Sequence, residues 1–206
     1  MTVVTLVRHG RTAWTASTRY AGDTDIPLDD VGLEQATSLG AWAAGQGLTS
    51  LVCSDLGRAQ TTAAAVSATT GLRPVRDSRL REPHYGIAEG RSIEELRSTE
   101  PAAVALYDAD PVSNPWPGAE LPTAVATRGL AAVLDVVASD PEGSPLVVAH
   151  SSLLRLTLCL ALGIPLRDYR RAMPRLDPVT LTQVLVRPDA SFGILTYNAP
   201  LPGAQS

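Results

Sequence analysis

Two of the three histidines stand at the ends of runs that read as buried strands. Val3-Val4-Thr5-Leu6-Val7 leads into Arg8, His9 and Gly10, and Leu146-Val147-Val148-Ala149 leads into His150. A third run, Leu51-Val52-Cys53, is followed by Ser54-Asp55 and then by Arg58 in the first turn of an expected helix. In an open α/β sheet, ligands sit just beyond the carboxyl ends of the strands. If the three runs are neighbours in one sheet, two imidazoles and two guanidiniums meet in a single pocket. The helix beginning near Ser151 would add free N–H groups and a positive dipole end.

Such a pocket suits a dianion. At 4 Å and an effective dielectric near 20, a unit-charge pair contributes about 4 kcal/mol. Two arginines and one protonated histidine therefore hold a phosphate without a metal. The other imidazole, neutral and in line with phosphorus, can displace a leaving alcohol to give a phosphohistidine that water hydrolyses. An alkoxide needs a proton to leave. Glu82 is the candidate acid, since like charge from a phosphate favours a protonated carboxyl. Taken singly, each residue has a plainer reading as a structural histidine, a surface arginine or a solvated loop carboxylate. Two histidines in equivalent places weigh against that. Ser151 next to His150 is read as part of a helix cap and not as a nucleophile, because no Gly-x-Ser-x-Gly turn surrounds it.

The elements that must position these groups alternate between strand and helix. A helix starts at Asp29 or Asp30 and is stopped by Gly45 and Gly47, and a second covers roughly 56–70 with Ser54-Asp55 as its cap. Val75 marks a third strand, 79–92 is irregular, and one helix is expected over 92–107. The proline-dense stretch Asp110 to Gly118 is a loop, followed by a helix over about 121–138. After the strand ending at Ala149, a helix over 152–162 is capped by Ser151-Ser152, and two last strands occupy about 179–186 and 193–197. The tail 199–206 reads as frayed. This alternation predicts an α/β domain spanning 1–206, with a mainly parallel sheet covered by helices on both faces.

Composition excludes several functions. The 206 residues carry a net charge of −4, which gives no electrostatic case for nucleic acid. All 17 cationic residues are arginine, so Schiff-base chemistry and a lysine-bearing P-loop are ruled out. Two cysteines, Cys53 and Cys159, read as buried thiols and are too few for a zinc site. With no signal-peptide pattern and no apolar run of membrane-spanning length, a cytoplasmic protein without a membrane partner is expected.

Leu6-Val7-Arg8-His9-Gly10-Arg11-Thr12 resembles the Arg-His-Gly motif of the histidine phosphatase superfamily, in its phosphoglycerate mutase-like branch. Further segments follow that family's order: Asp25-Ile26-Pro27-Leu28 through Gly32 and Gln35-Ala36; Ser54 to Ala63 around Arg58; Leu80-Arg81-Glu82 with Gly86 and Glu89-Gly90; and Val147 to His150 with Leu154-Arg155. The resemblance implies a three-layer α/β/α sandwich, His9 as the phosphorylated nucleophile and Glu82 as proton donor. Arg8, Arg58 and His150 would bind the phosphoryl group, with no metal or other cofactor. The chain departs from the pattern at Ser151, where glycine is usual, at Thr15 in place of asparagine, at Ala88 in place of an aromatic, and at Gly118-Ala119-Glu120.

A phosphatase acting on a small-molecule phosphomonoester, such as a sugar phosphate or a phosphoglycerate derivative, is therefore expected. Phosphoglycerate mutase-type transfer and a non-catalytic phospho-ligand binder are the alternatives. Only 68 positions separate Glu82 from His150, which favours the phosphatase, because mutase members are expected to be longer there. The substrate-binding candidates are Thr15, Arg19, Gly22, His84, Tyr85 and Ser151, with Trp14, Tyr20 and Trp116 as further wall residues. Oligomeric state is left open, with a homodimer among the options.

Overall fold

A computed structural model describes residues 1–202. One six-stranded sheet runs through it in the order β3-β2-β4-β1-β5-β6. The strands are β1 (Thr2–Arg8), β2 (Ser50–Cys53), β3 (Val75–Arg76), β4 (Pro145–Ala149), β5 (Leu181–Val186) and β6 (Phe192–Ala199). β3, β2, β4 and β1 pair in parallel, whereas β5 and β6 are antiparallel additions on the β1 side. The three strands that end on Arg8-His9, on Cys53 and on Ala149 are consecutive neighbours, with β4 in the middle. Their carboxyl ends accordingly open on the same edge of the sheet.

Alternation along the strands divides the core into two layers. Val4 and Leu6 face the same side as Val147 and Ala149, under α6 (Pro122–Ser139) and α7 (Ser151–Ala161). Val7, Leu146 and Val148 face the opposite side, under α2 (Asp30–Ala43) and α3 (Gly57–Thr70). This is the α/β/α sandwich. The remaining helices are short: α1 (Ala13–Ala16), α4 (Ile93–Thr99), α5 (Pro101–Ala109) and α8 (Tyr169–Ala172). A third apolar cluster of Ala88, Leu96, Val104, Tyr107 and Trp116 packs α4, α5 and the proline-rich loop into a wall beside the strand ends.

Several local expectations change. The helix expected over 92–107 is two, α4 and α5, because Pro101 cannot donate into the preceding turn and pushes Glu100 out of helical geometry at φ −133°, ψ 47°. Ser54-Asp55 does not cap α3. The N–H of Gly57 instead donates to Asp25 Oδ1 at 2.9 Å, from a loop more than thirty residues earlier. Ser151-Ser152 does not cap α7, whose first N–H groups donate to Glu82. The tail is ordered further than expected: Ala199 ends β6 and Leu201 is buried in the second core layer. The rest of the supposed frayed segment, 203–206, lies outside the described residues. Among the described residues no helix is long and apolar enough to cross a membrane.

Candidate active site

His9 follows β1 without a break in pairing, its N–H donating to the Ala149 carbonyl at 3.0 Å. Its Nδ1 lies 2.7 Å from the Gly10 carbonyl oxygen. A carbonyl only accepts, so Nδ1 carries the proton and Nε2 keeps the lone pair. Gly10 is required here: a Cβ would stand 2.5 Å from the carbonyl oxygen of Gly32, where α2 passes against this turn. Burial, and then the charges of Arg58 and Arg8, hold the His9 pKa well below the ordinary 6.5. The ring is neutral at physiological pH.

His150 packs against it, with ring centroids 5.0 Å apart and planes inclined by 58°. It is fully buried, and neither ring nitrogen has a protein partner. Burial is again the main cause of its depressed pKa, followed by Arg58, His9 and Arg8, so this ring too is neutral where the sequence predicts one protonated histidine. Arg58 is equally buried. Its Nη1 donates to the Thr24 carbonyl at 2.8 Å and its Nη2 to that of Gly22 at 2.5 Å, leaving Nε free. Arg8 Nη1 donates to the Leu176 carbonyl at 2.7 Å, and its Nε is also unpartnered.

Among the described residues, four of the six buried side-chain polar atoms without a partner belong to Arg8, Arg58 and His150. Leaving a buried donor unpaired costs about 1–3 kcal/mol. The polar deficit of the interior is thus concentrated where an anion rich in acceptor oxygens would relieve it.

Glu82 faces the same space and is only 6% exposed. Its Oε1 accepts from the Tyr85 hydroxyl and the Ser152 N–H, both at 2.9 Å. Its Oε2 accepts from the N–H groups of Ser152 and Leu153, each at 3.1 Å. The Tyr85 hydroxyl also lies 2.6 Å from Ser152 Oγ. Arg8, His9, Glu82, Tyr85, Thr15 and Ser151 all line one cavity of about 130 Å³, joined by Arg19, Tyr20, Ala21 and Ser152. His150 and Arg58 lie behind this lining.

The substrate-binding candidates separate on inspection. Thr15 and Ser151 present to the cavity, Thr15 with its hydroxyl 3.0 Å from that of Thr12. Tyr85 is in the cavity but bonded to the acid. Arg19 is in the wall, with its guanidinium held by Glu95 in a bidentate pair at 2.8 Å and by the Gly90 carbonyl at 2.7 Å. Gly22 does not line the cavity; its carbonyl holds Arg58 and its N–H donates to Glu89 Oε1 at 2.9 Å. His84 falls outside as well. Its Nδ1 lies 3.1 Å from the Gly118 carbonyl oxygen, and it lines an adjoining, smaller cavity with Trp116 that shares Tyr85 and Ser152 with the first. Ser152 and Ala21 also line the cavity, and neither residue type announces it. Ser152 is placed by α7, whose start Glu82 fixes.

A doubly covered sheet whose strand ends gather two neutral imidazoles, two guanidiniums and a carboxyl group defines an enzyme of phosphoryl transfer. More narrowly, the chain belongs to the histidine phosphatase superfamily (branch 1), whose profile matches residues 4–199. A curated relative described as a probable phosphoglycerate mutase GpmB from Yersinia pestis (strain Pestoides F) is 36% identical over 189 residues, which is 89% of this chain and 85% of that protein. Among solved structures, Bacillus stearothermophilus YhfR is 28% identical with a TM-score of 0.89, covering 97% of this chain and 98% of the other. A mycobacterial glucosyl-3-phosphoglycerate phosphatase, solved with VO3, is 27% identical with a TM-score of 0.87, covering 96% and 98%. The resemblance read from the motifs and the three-layer fold both hold, and the chain is a phosphatase-type enzyme of this family.

Proposed function

We propose that the chain hydrolyses a small-molecule phosphomonoester in two transfers through a phosphohistidine at His9. The observation that carries this is the pair of neutral rings 5.0 Å apart, set among unpartnered arginine donors with Glu82 on the same cavity. In the first step His9 Nε2 attacks phosphorus and the P–O bond to the alcohol breaks. Glu82, as the general acid of this reading, gives its proton to the departing oxygen. The positive charge that develops on the His9 ring is shared through Nδ1–H with the Gly10 carbonyl. Arg8, Arg58 and His150 bind the non-bridging oxygens. In the second step water attacks phosphorus, its proton returns to the Glu82 carboxylate, and the N–P bond breaks to restore neutral His9. Neither step calls for a metal or nucleotide cofactor.

Thr15 and Ser151 contact the leaving group in this reading, and the partner is a phosphorylated metabolite in the cytoplasm, not nucleic acid or membrane. A sugar phosphate or a phosphoglycerate derivative is the favoured class, supported by the phosphatase named among the structural neighbours. Mutase-type transfer is the second reading, favoured by the name of the 36%-identical relative. Phosphate release from a panel of phosphomonoesters, with His9→Ala as blank, tests the first. Formation of 2-phosphoglycerate from 3-phosphoglycerate primed with 2,3-bisphosphoglycerate would establish the second in its place. A protein that binds phosphate but releases none from the panel and forms no 2-phosphoglycerate would overturn both.

A further inference from the structure

We propose that the site selects phosphomonoesters whose leaving group is neutral and hydroxyl-bearing, and that Glu95 enforces this by neutralising Arg19. This rests on the phosphatase reading above and, of its two favoured classes, keeps sugar phosphates and sets aside the carboxylate-bearing phosphoglycerate derivatives. Apart from Arg8, Arg19 is the one cation lining the cavity among the described residues. A substrate with a second negative charge would need it.

Arg19 is committed elsewhere. Its two terminal nitrogens bind both oxygens of Glu95 at 2.8 Å, and one of them also donates to the Gly90 carbonyl at 2.7 Å. Glu95 is itself fixed, because it completes the capping box of α4 by accepting from the Ser92 N–H at 3.0 Å. Residue 19 also bridges to Ser92 through the backbone. Swinging Arg19 onto a substrate carboxylate would exchange one carboxylate for another and forfeit the Gly90 bond. It would also leave the Glu95 charge near the incoming anion. An anionic leaving group therefore gains nothing from Arg19.

The rest of the wall is uncharged apart from Glu82. Thr15, Ser151 and Ser152 offer hydroxyls, and Tyr20 and Tyr85 present rings in an edge-to-face pair with centroids 5.1 Å apart. Hydroxyls that donate or accept, beside aromatic faces, match a polyol or sugar alcohol better than a carboxylate or a second phosphate.

The test compares glycerol 3-phosphate with 3-phosphoglycerate, which differ at the end remote from phosphorus by a hydroxymethyl group against a carboxylate. Wild type should show the higher kcat/KM for glycerol 3-phosphate. Glu95→Gln keeps an acceptor for the α4 cap but removes the charge. It should raise the 3-phosphoglycerate to glycerol 3-phosphate ratio about fivefold, the upper end of what an exposed ion pair contributes. Glu95→Ala should move the ratio the same way, with circular dichroism reporting that the fold is kept. The same ratio, read as affinities by calorimetry on His9→Ala carriers of each variant, does not depend on turnover. A wild-type preference for 3-phosphoglycerate, or a ratio unmoved in both variants, overturns the proposal. Absence of turnover on these esters and on p-nitrophenyl phosphate would instead overturn the phosphatase reading, leaving the affinity ratio to judge Glu95.

Discussion

Replacing Tyr85 with phenylalanine isolates the carboxyl chemistry of Glu82. The Tyr85 hydroxyl donates to Oε1 at 2.9 Å, and its oxygen accepts from Ser152 Oγ at 2.6 Å, so a directed chain ends on the acid. Burial, then the Glu82 charge, pushes the phenol well above its usual 10.0, so the hydroxyl keeps its proton throughout the working range. A hydrogen bond to a charged group contributes about 1.5–3 kcal/mol. At 1.36 kcal/mol per factor of ten, its loss should slow an acid-dependent step by about 10- to 150-fold. The bond matters most as Glu82 becomes a carboxylate, when the proton passes to the leaving oxygen. The variant should therefore lose activity on glycerol phosphate, whose alkoxide needs that proton. It should largely keep activity on p-nitrophenyl phosphate, whose phenolate leaves unaided. Steady-state kcat on both esters, with thermal unfolding as a check on folding, provides the comparison. An equal loss on both would place Tyr85 in binding or packing, and no loss on either would refute the role assigned to the hydrogen bond.

Other outcomes follow from the same geometry. His9 and His150 both titrate well below 6.5 in the folded chain. The unfolded chain then binds more protons below that value, so stability is full above pH 6.5 and declines as pH falls toward the folded pKa values. Urea unfolding at successive pH values should show this slope, and a His9→Gln/His150→Gln chain should flatten it. Gly22→Ala should weaken inorganic phosphate binding and lower kcat/KM several-fold. Its Cβ would sit 2.4 Å from Pro83 O and Glu89 Oε2, forcing away the carbonyl that holds Arg58; phosphate affinity equal to wild type would contradict this. Burial pushes the Cys53 thiol up to about 11, so a thiol reagent at pH 8 should leave it unlabelled until denaturant is added. Leu158→Ala, in the α7 layer of the core, should destabilise by about 2–5 kcal/mol in chemical denaturation.

The central strands and the residues at their ends were legible because both signals are local. An aliphatic run of four or five residues ending in His9 or His150 declares a buried strand and its functional terminus together. Supports drawn from a distance were not legible. Asp25 caps α3 and Glu82 caps α7, yet nothing near Gly57 or Ser152 in sequence announces a partner 32 or 70 residues away. Arg19 is expected to bind substrate because the carboxylate that neutralises it lies 76 positions later. His84 is expected at the substrate because its actual neighbour, the Gly118 carbonyl 3.1 Å from its Nδ1, lies 34 positions later. Arg170 stacks 4.6 Å over Tyr107 and donates to its hydroxyl, a partnership across 63 positions that no local pattern announces.

The clasp between α3 and the loop before it has a kinetic corollary. Asp25 secures the first turn of α3 while Arg58, from that same turn, grips the carbonyls of Gly22 and Thr24. Each half pins the other, so the anion receptor is assembled before any ligand arrives. Inorganic phosphate should then associate in a single concentration-dependent phase, without a slower ordering step behind it. Product inhibition would follow directly from that readiness, with free phosphate competing for the same donors from the first turnover onward.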